Sequence, residues 1–126
     1  MSLVLDAGAL IAVERADRDT IALIKHELLS GRSPITHGGI IGQVWRCGSG
    51  RQASLARLLP GLDVVALDVT LGRRAGVLLG RARMDDVMDA ALVLLSTDGD
   101  FLITSDPDDL EPLAHVAGLH IDIIPV

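Results

Sequence analysis

The segment Leu3-Val4-Leu5, closed at once by Asp6, limits the fold more than any other stretch of the chain. Three consecutive apolar residues leave no polar face, so the strand they form must be covered on both sides. The same pattern returns in Phe101-Leu102-Ile103-Thr104, followed by Ser105 and Asp106. Apolar strands of this kind alternate along the chain with helical runs. The expected strands are 3 to 5, 34 to 36, 62 to 67, 101 to 104 and 120 to 124. The intervening helices are 9 to 13, a run through 24 to 29, then 40 to 46, 52 to 59, about 68 to 81, 85 to 96 and 108 to 117. Asp17 or Asp19, Asp68 or Thr70, and Asp85 or Asp86 are the candidate N-caps. That order predicts an α/β fold in three layers, helix, sheet, helix, around a central, mostly parallel sheet. With 126 residues and no linker, repeat or low-complexity tail, the whole of 1–126 is expected to be one domain.

Composition narrows the function. Fourteen aspartates face three glutamates, and ten arginines face one lysine, for a formal charge of -6. Such a chain binds nucleic acid poorly without help, yet cations held by acids reverse the field locally. Trp45 and Phe101 are the only aromatics, too few for a base-stacking platform. Cys47 is alone, so there is no disulfide framework and no zinc motif, consistent with a reducing, cytoplasmic setting. The histidines at 26, 37, 115 and 120 show no metal-ligand spacing. No N-terminal signal pattern appears, and the longest apolar run, Ala90 to Leu95, is too short to cross a bilayer.

The acids are the candidate site. In an open parallel sheet, ligands bind beyond the carboxyl ends of the strands. Asp6 follows the first strand, and Asp106 follows the fourth. Asp86 and Asp89, three residues apart in a first helical turn, share a face. Carboxylates brought together repel, and a divalent cation relieves that repulsion. An all-oxygen, aspartate-rich set suits Mg²⁺ or Mn²⁺. Each acid also has a plainer reading. Asp6 and Asp86 could serve only as helix caps, Asp89 as a favourable acid at a helix start, and Asp106 as an Asx-turn through Pro107. Asp108 and Asp109 read as helix-start residues, and Asp98 and Asp100 as a turn around Gly99. A phosphoacceptor domain also places acids at strand ends, but its mid-chain aspartate would have to be Asp68, and the sole lysine, Lys25, lies too early.

Taken in order, LVLDAGALIAVE at 3 to 14, GQVWR at 42 to 46, RQASLARLL at 51 to 59, DDVMDAALVLL at 85 to 95 and ITSDPDDL at 103 to 110 resemble a PIN-domain ribonuclease. The likeness is to the VapC-type toxins of bacterial toxin–antitoxin pairs, and it runs over essentially the whole chain. It implies a metal-dependent endoribonuclease using Mg²⁺ or Mn²⁺. Asp6, Asp86 and Asp106 would be the metal ligands, and Asp89 a fourth catalytic acid. Thr104 would be an accessory to Asp106. Arg46, three residues beyond Gln43, is a candidate for a phosphate contact. The partners implied are an RNA substrate, a VapB-type antitoxin whose basic segment plugs the acidic groove, and a second copy in a homodimer. Apolar stripes at Ile21, Leu28, Leu55, Leu58 and Leu59 are the candidate contact residues. One position departs from the family outline: Gln43 stands where a glutamate is usual. Its amide supplies no charge, leaving Asp89 to replace it. The alternative is a weak or inactive PIN-fold domain that acts only by binding its partner.

Overall fold

The computed structural model describes residues 1–126. Five strands form one sheet in the order β3-β2-β1-β4-β5, with every neighbouring pair parallel. They are β1 (Leu3–Leu5), β2 (Ile35–His37), β3 (Asp63–Val65), β4 (Phe101–Thr104) and β5 (Asp122–Pro125). Seven α-helices connect them. They are α1 (Ala7–Glu14), α2 (Arg18–Leu29), α3 (Gly38–Val44), α4 (Ala53–Leu58), α5 (Val69–Ala82), α6 (Val87–Leu94) and α7 (Pro107–Ala117). Short 3-10 turns at Gly50–Gln52 and Leu59–Gly61 flank α4. Helix α1 packs on α2, α3 and α4, while α5, α6 and α7 pack on one another. The two groups form the outer layers of the α/β/α sandwich, as the strand pattern predicts.

The apolar central strands are buried on both faces. Leu3, Val4, Leu5, Leu102 and Ile103 form the middle of an aliphatic core, joined by Leu10, Ile40, Leu55, Leu92, Leu110 and Leu113. The third strand is shorter than the run 62 to 67 suggests. Only Asp63 to Val65 pair, at the sheet edge, and Asp63 and Val64 are exposed. An edge strand covered on one side gains little from continuous apolar residues, so Leu62 and Leu67 instead pack from the flanking loops.

Topology fixes where a site can form. From β1 the chain moves outward through β2 to β3, then returns and moves the other way through β4 to β5. The reversal falls between β1 and β4. Beyond their carboxyl ends lies the switch-point crevice in which α/β proteins bind ligands. The pairing Leu5 with Ile103 puts Asp6 and Thr104 side by side there, and the Asp6 N–H donates to the Ile103 carbonyl at 3.0 Å.

Candidate active site

Asp6 caps α1. Its Oδ1 accepts from the Ala7 N–H at 2.7 Å, and its Oδ2 accepts from the Thr104 hydroxyl at the same distance. With only 5% of its surface exposed, both oxygens have partners in place of water. Thr104 is itself fully buried and accepts from the Asp106 N–H at 2.9 Å. One hydroxyl thus joins the acid after β1 to the backbone of the acid after β4. Asp106 occupies the N-cap position of α7, yet its carboxylate makes no capping hydrogen bond. The Asx-turn through Pro107 is not formed, and the carboxylate stays uncommitted at an exposed position.

Close approach at this point depends on Gly8. A Cβ there would lie 2.5 Å from Ser105 Oγ and 2.7 Å from the Ser105 backbone nitrogen. Only hydrogen lets α1 start hard against the β4–α7 connection.

Helix α6 brings the second pair of acids. Asp86 caps it, accepting from the Met88 and Asp89 N–H groups at 2.9 and 3.2 Å through Oδ1, which leaves Oδ2 free. Asp89 is half-buried, and its pKa is pushed up to about 7. Burial is the main cause, followed by the charges of Asp86, Asp6, Asp109 and Asp106. That list is a map of the neighbourhood: acids from three separate segments surround Asp89. All four aspartates singled out in the sequence gather at one edge of the sheet.

Asp109 joins them, beyond its helix-start role. It lies three residues after Asp106 on the first turn of α7, as Asp89 lies after Asp86 on α6, so the same spacing could have found it.

His37 was visible in the sequence only as a histidine without metal spacing. It is fully buried at the end of β2 and caps α3. Its Nδ1 accepts from the Gly39 and Ile40 N–H groups, at 3.1 and 3.4 Å. With Nδ1 accepting, the proton belongs on Nε2, which donates to the Met88 carbonyl at 3.0 Å. The ring therefore ties the start of α3 to the first turn of α6, beside Asp89.

Two other candidates are placed differently. Gln43 is exposed and, together with Arg46, lines a cavity of about 400 Å³ that none of the four aspartates lines. The Arg46 guanidinium donates to the Gly42, Gln43 and Trp45 carbonyls at the end of α3, at 3.3, 3.3 and 2.7 Å. Asp100, read as a turn residue, is buried at the far end of β4 and accepts from the Ser2 and Thr97 N–H groups.

The donor set is chemically suited to a hard divalent ion: carboxylate oxygens only, mutually repelling, one of them half-buried. As the side chains stand, no three His, Cys, Asp or Glu residues converge closely enough to hold a metal ion. Asp6 and Asp86 each direct one oxygen at a helix N-terminus.

No family model and no curated protein matches the sequence. Among solved structures, a chain in the crystal structure of VapBC2 from Rickettsia felis bound to a DNA fragment from their promoter has the same fold. The TM-score is 0.71 over 98% of this chain and 99% of that one, at 9% sequence identity. At that identity the likeness speaks for the fold, which agrees with the resemblance drawn from the motifs.

Proposed function

We propose that this chain is a divalent-metal-dependent endoribonuclease and the toxin of a toxin–antitoxin pair. The observation that carries the reading is the gathering of Asp6, Asp86, Asp106 and Asp109 around half-buried Asp89 at the switch point of a parallel sheet. A fold needs no such crowding of like charge, and its cost is relieved by protonation of Asp89 or by a bound cation. The shared fold with a chain of VapBC2 adds to it.

Asp6, Asp86 and Asp106 are the residues that would hold Mg²⁺ or Mn²⁺. When bound, such an ion lends Lewis acidity to a phosphoryl oxygen and lowers the pKa of water. Thr104 keeps Asp6 oriented, its hydroxyl donating to Oδ2 while the Ala7 N–H donates to Oδ1. Asp89, protonated near neutrality in the absence of a cation, is the acid whose state changes when positive charge arrives. It supplies the negative charge that Gln43 does not.

A toxin must be restrained, and an acidic groove calls for a basic plug. The proposed partner is a VapB-type antitoxin with a basic segment over the acids. Leu55 belongs to the core and cannot join an interface, whereas Leu28 is exposed and, with Ile21 and Leu58, lines an apolar groove between α2 and α4. That face is the proposed homodimer or antitoxin contact. No helix is long and apolar enough to cross a membrane.

One observation favours a second reading, an inactive PIN-fold domain that acts by binding its partner: Gln43 is neutral and lines a cavity that none of the four aspartates lines. The experiment is cleavage of a mixed RNA pool by the purified chain with Mg²⁺ or Mn²⁺ against EDTA, alongside Asp6→Asn. Metal-dependent cleavage lost in Asp6→Asn supports the nuclease. A folded chain that neither cleaves nor binds Mn²⁺ is the interaction domain.

A further inference from the structure

The acid cluster and the groove between α2 and α4 leave the outer side of α5 without a role. From Val69 to Ala82 this helix carries three arginines and no acid. Arg73, Arg74 and Arg81 gather at one cavity of about 370 Å³, which no acidic residue lines. Its remaining walls are apolar: Val77 and Leu78 from α5, Leu94 from the end of α6 and Ala117 from the end of α7.

Nothing in the chain balances these cations. The one ion pair is Glu27–Arg32. Arg81 donates through Nη2 to the Val116 carbonyl at 3.4 Å, which answers the open C-terminal end of α7. Arg73 and Arg74 are exposed and pair with no carboxylate. The first-turn acids of α6 and α7, Asp89, Asp108 and Asp109, lie at the opposite ends of those helices from Leu94 and Ala117. Val77 stands among the arginines 66% exposed, over Leu78, which is buried. A singly exposed valine is ordinary, but this one borders an apolar floor ringed by unpaired cations.

The spacing along α5 is regular. Arg74 and Arg81 are seven residues apart, with Val77 and Leu78 between them. Seven residues are two turns on one face, about 10 Å at the helical rise. A helix laid along α5 with carboxylates at the same spacing meets both arginines, and an apolar side chain midway enters over Val77 and Leu78.

Charge selects the occupant. A second copy set face to face on α5 would bring arginine against arginine. The phosphates of a nucleic acid would meet the cations but gain nothing from the apolar floor, and no aromatic lines the cavity for a base to stack on. Carboxylates on an apolar helix match both halves of the surface. We propose that this face of α5 docks an acidic amphipathic helix of another protein, its carboxylates paired with Arg73, Arg74 and Arg81 and an apolar side chain seated on Val77 and Leu78. The proposal is independent of the nuclease reading, because none of the four aspartates lines this cavity.

The test uses the full chain and a fluorescein-labelled, alanine-based helical peptide with two glutamates seven residues apart and a leucine midway. Binding is followed by anisotropy over a range of salt, and urea midpoints confirm that each variant is folded. Arg73→Ala/Arg74→Ala should weaken binding about fivefold at low salt, an effect that fades as salt rises. Arg15→Ala/Arg51→Ala, with the same change in charge, should stay within about twofold of wild type. Val77→Asn should weaken binding about fivefold at every salt concentration, because the lost contact is apolar. No binding of the peptide by the folded wild-type chain, equal losses in the two arginine pairs, or full binding by Val77→Asn would overturn the proposal. So would a peptide with glutamine for glutamate that binds as well. Oligouridylate that binds more tightly than the peptide and depends on Arg73 and Arg74 would overturn it in favour of nucleic acid. A dimer in sedimentation that Arg73→Ala/Arg74→Ala dissociates would overturn it in favour of a second copy. Mn²⁺ affinity should be unchanged in Arg73→Ala/Arg74→Ala, so the acid site is judged separately.

Discussion

Thr104 Oγ1 lies 2.7 Å from Asp6 Oδ2 and donates to it, across 98 residues of sequence and between adjacent strands. The same oxygen accepts from the Asp106 N–H, so a side chain with no charge sets the spacing of two acids. Thr104→Val keeps the shape and removes the hydroxyl. It leaves a buried carboxylate oxygen and an amide without their partner, at roughly 1–3 kcal/mol per group. The expected result is a lower urea midpoint and weaker Mn²⁺ binding by calorimetry, both restored in Thr104→Ser. A Val variant that binds Mn²⁺ like wild type would show that the hydroxyl does not position the site.

Asp89 makes stability depend on pH in an unusual direction. Its pKa is raised from 3.8 to about 7, by burial first and by Asp86, Asp6, Asp109 and Asp106 after it. Across that window the native chain holds a proton that the unfolded chain has released. Stability therefore falls as pH rises from about 4 to about 7, and the loss is complete above that. Partial exposure screens the effect, to about 1–2 kcal/mol. Asp89→Asn should flatten this part of the curve in urea titrations and be the more stable protein in EDTA above pH 7. Mn²⁺ should reverse the order by stabilising wild type most where Asp89 is ionised. Equal pH profiles for the two proteins in EDTA would count against the crowded site.

The fold was legible because apolar runs without alternation have few alternatives, and three of them are followed by an acid that caps or starts a helix, at Asp6, Asp68 and Asp106. Asp6, Asp86, Asp89 and Asp106 could be chosen for the same reason, since strand-end position and three-residue spacing are local properties. What was not legible depends on partners far along the chain. A buried histidine has no spacing motif, so His37 showed nothing until Met88 lay beside it. Gln52 read as the start of a helix, because an amide that bonds four backbone groups looks like any polar residue. The edge strand was overextended from 62 to 67 because hydropathy does not tell a strand from the loop that packs beside it. Arg46 read as the last residue of a helix from 40 to 46, but that helix ends at Val44, and the Arg46 hydrogen bonds to the Gly42, Gln43 and Trp45 carbonyls follow only from where it ends.

His37 offers a direct check on how α6 is held. His37→Phe keeps an aromatic volume but leaves the Met88 carbonyl and the Gly39 N–H without partners. Each costs roughly 1–3 kcal/mol if it remains buried. The first turn of α6 should then exchange its amide protons faster, and Mn²⁺ affinity should fall with it. If stability drops while Mn²⁺ affinity holds, the ring serves the core and not the acids.

Gly8 tests whether the approach of α1 to the β4–α7 connection is what assembles the site. In Gly8→Ala the new Cβ would meet Ser105 Oγ and its backbone nitrogen at 2.5 and 2.7 Å, and backbone cannot move aside as a flexible side chain can. Helix α1 must shift, taking Asp6 from Thr104. Overpacking of this kind costs about 1–3 kcal/mol, against which alanine gains up to about 1 kcal/mol in helix propensity. Net destabilisation with loss of Mn²⁺ binding is the expected outcome. The companion variant Gly72→Ala, in α5, meets nothing within 4 Å and should be neutral or stabilising with Mn²⁺ binding unchanged. Gly8→Ala with wild-type Mn²⁺ affinity would mean that the acids gather without the close approach, and the assembly of the site would have to be sought in α6 instead.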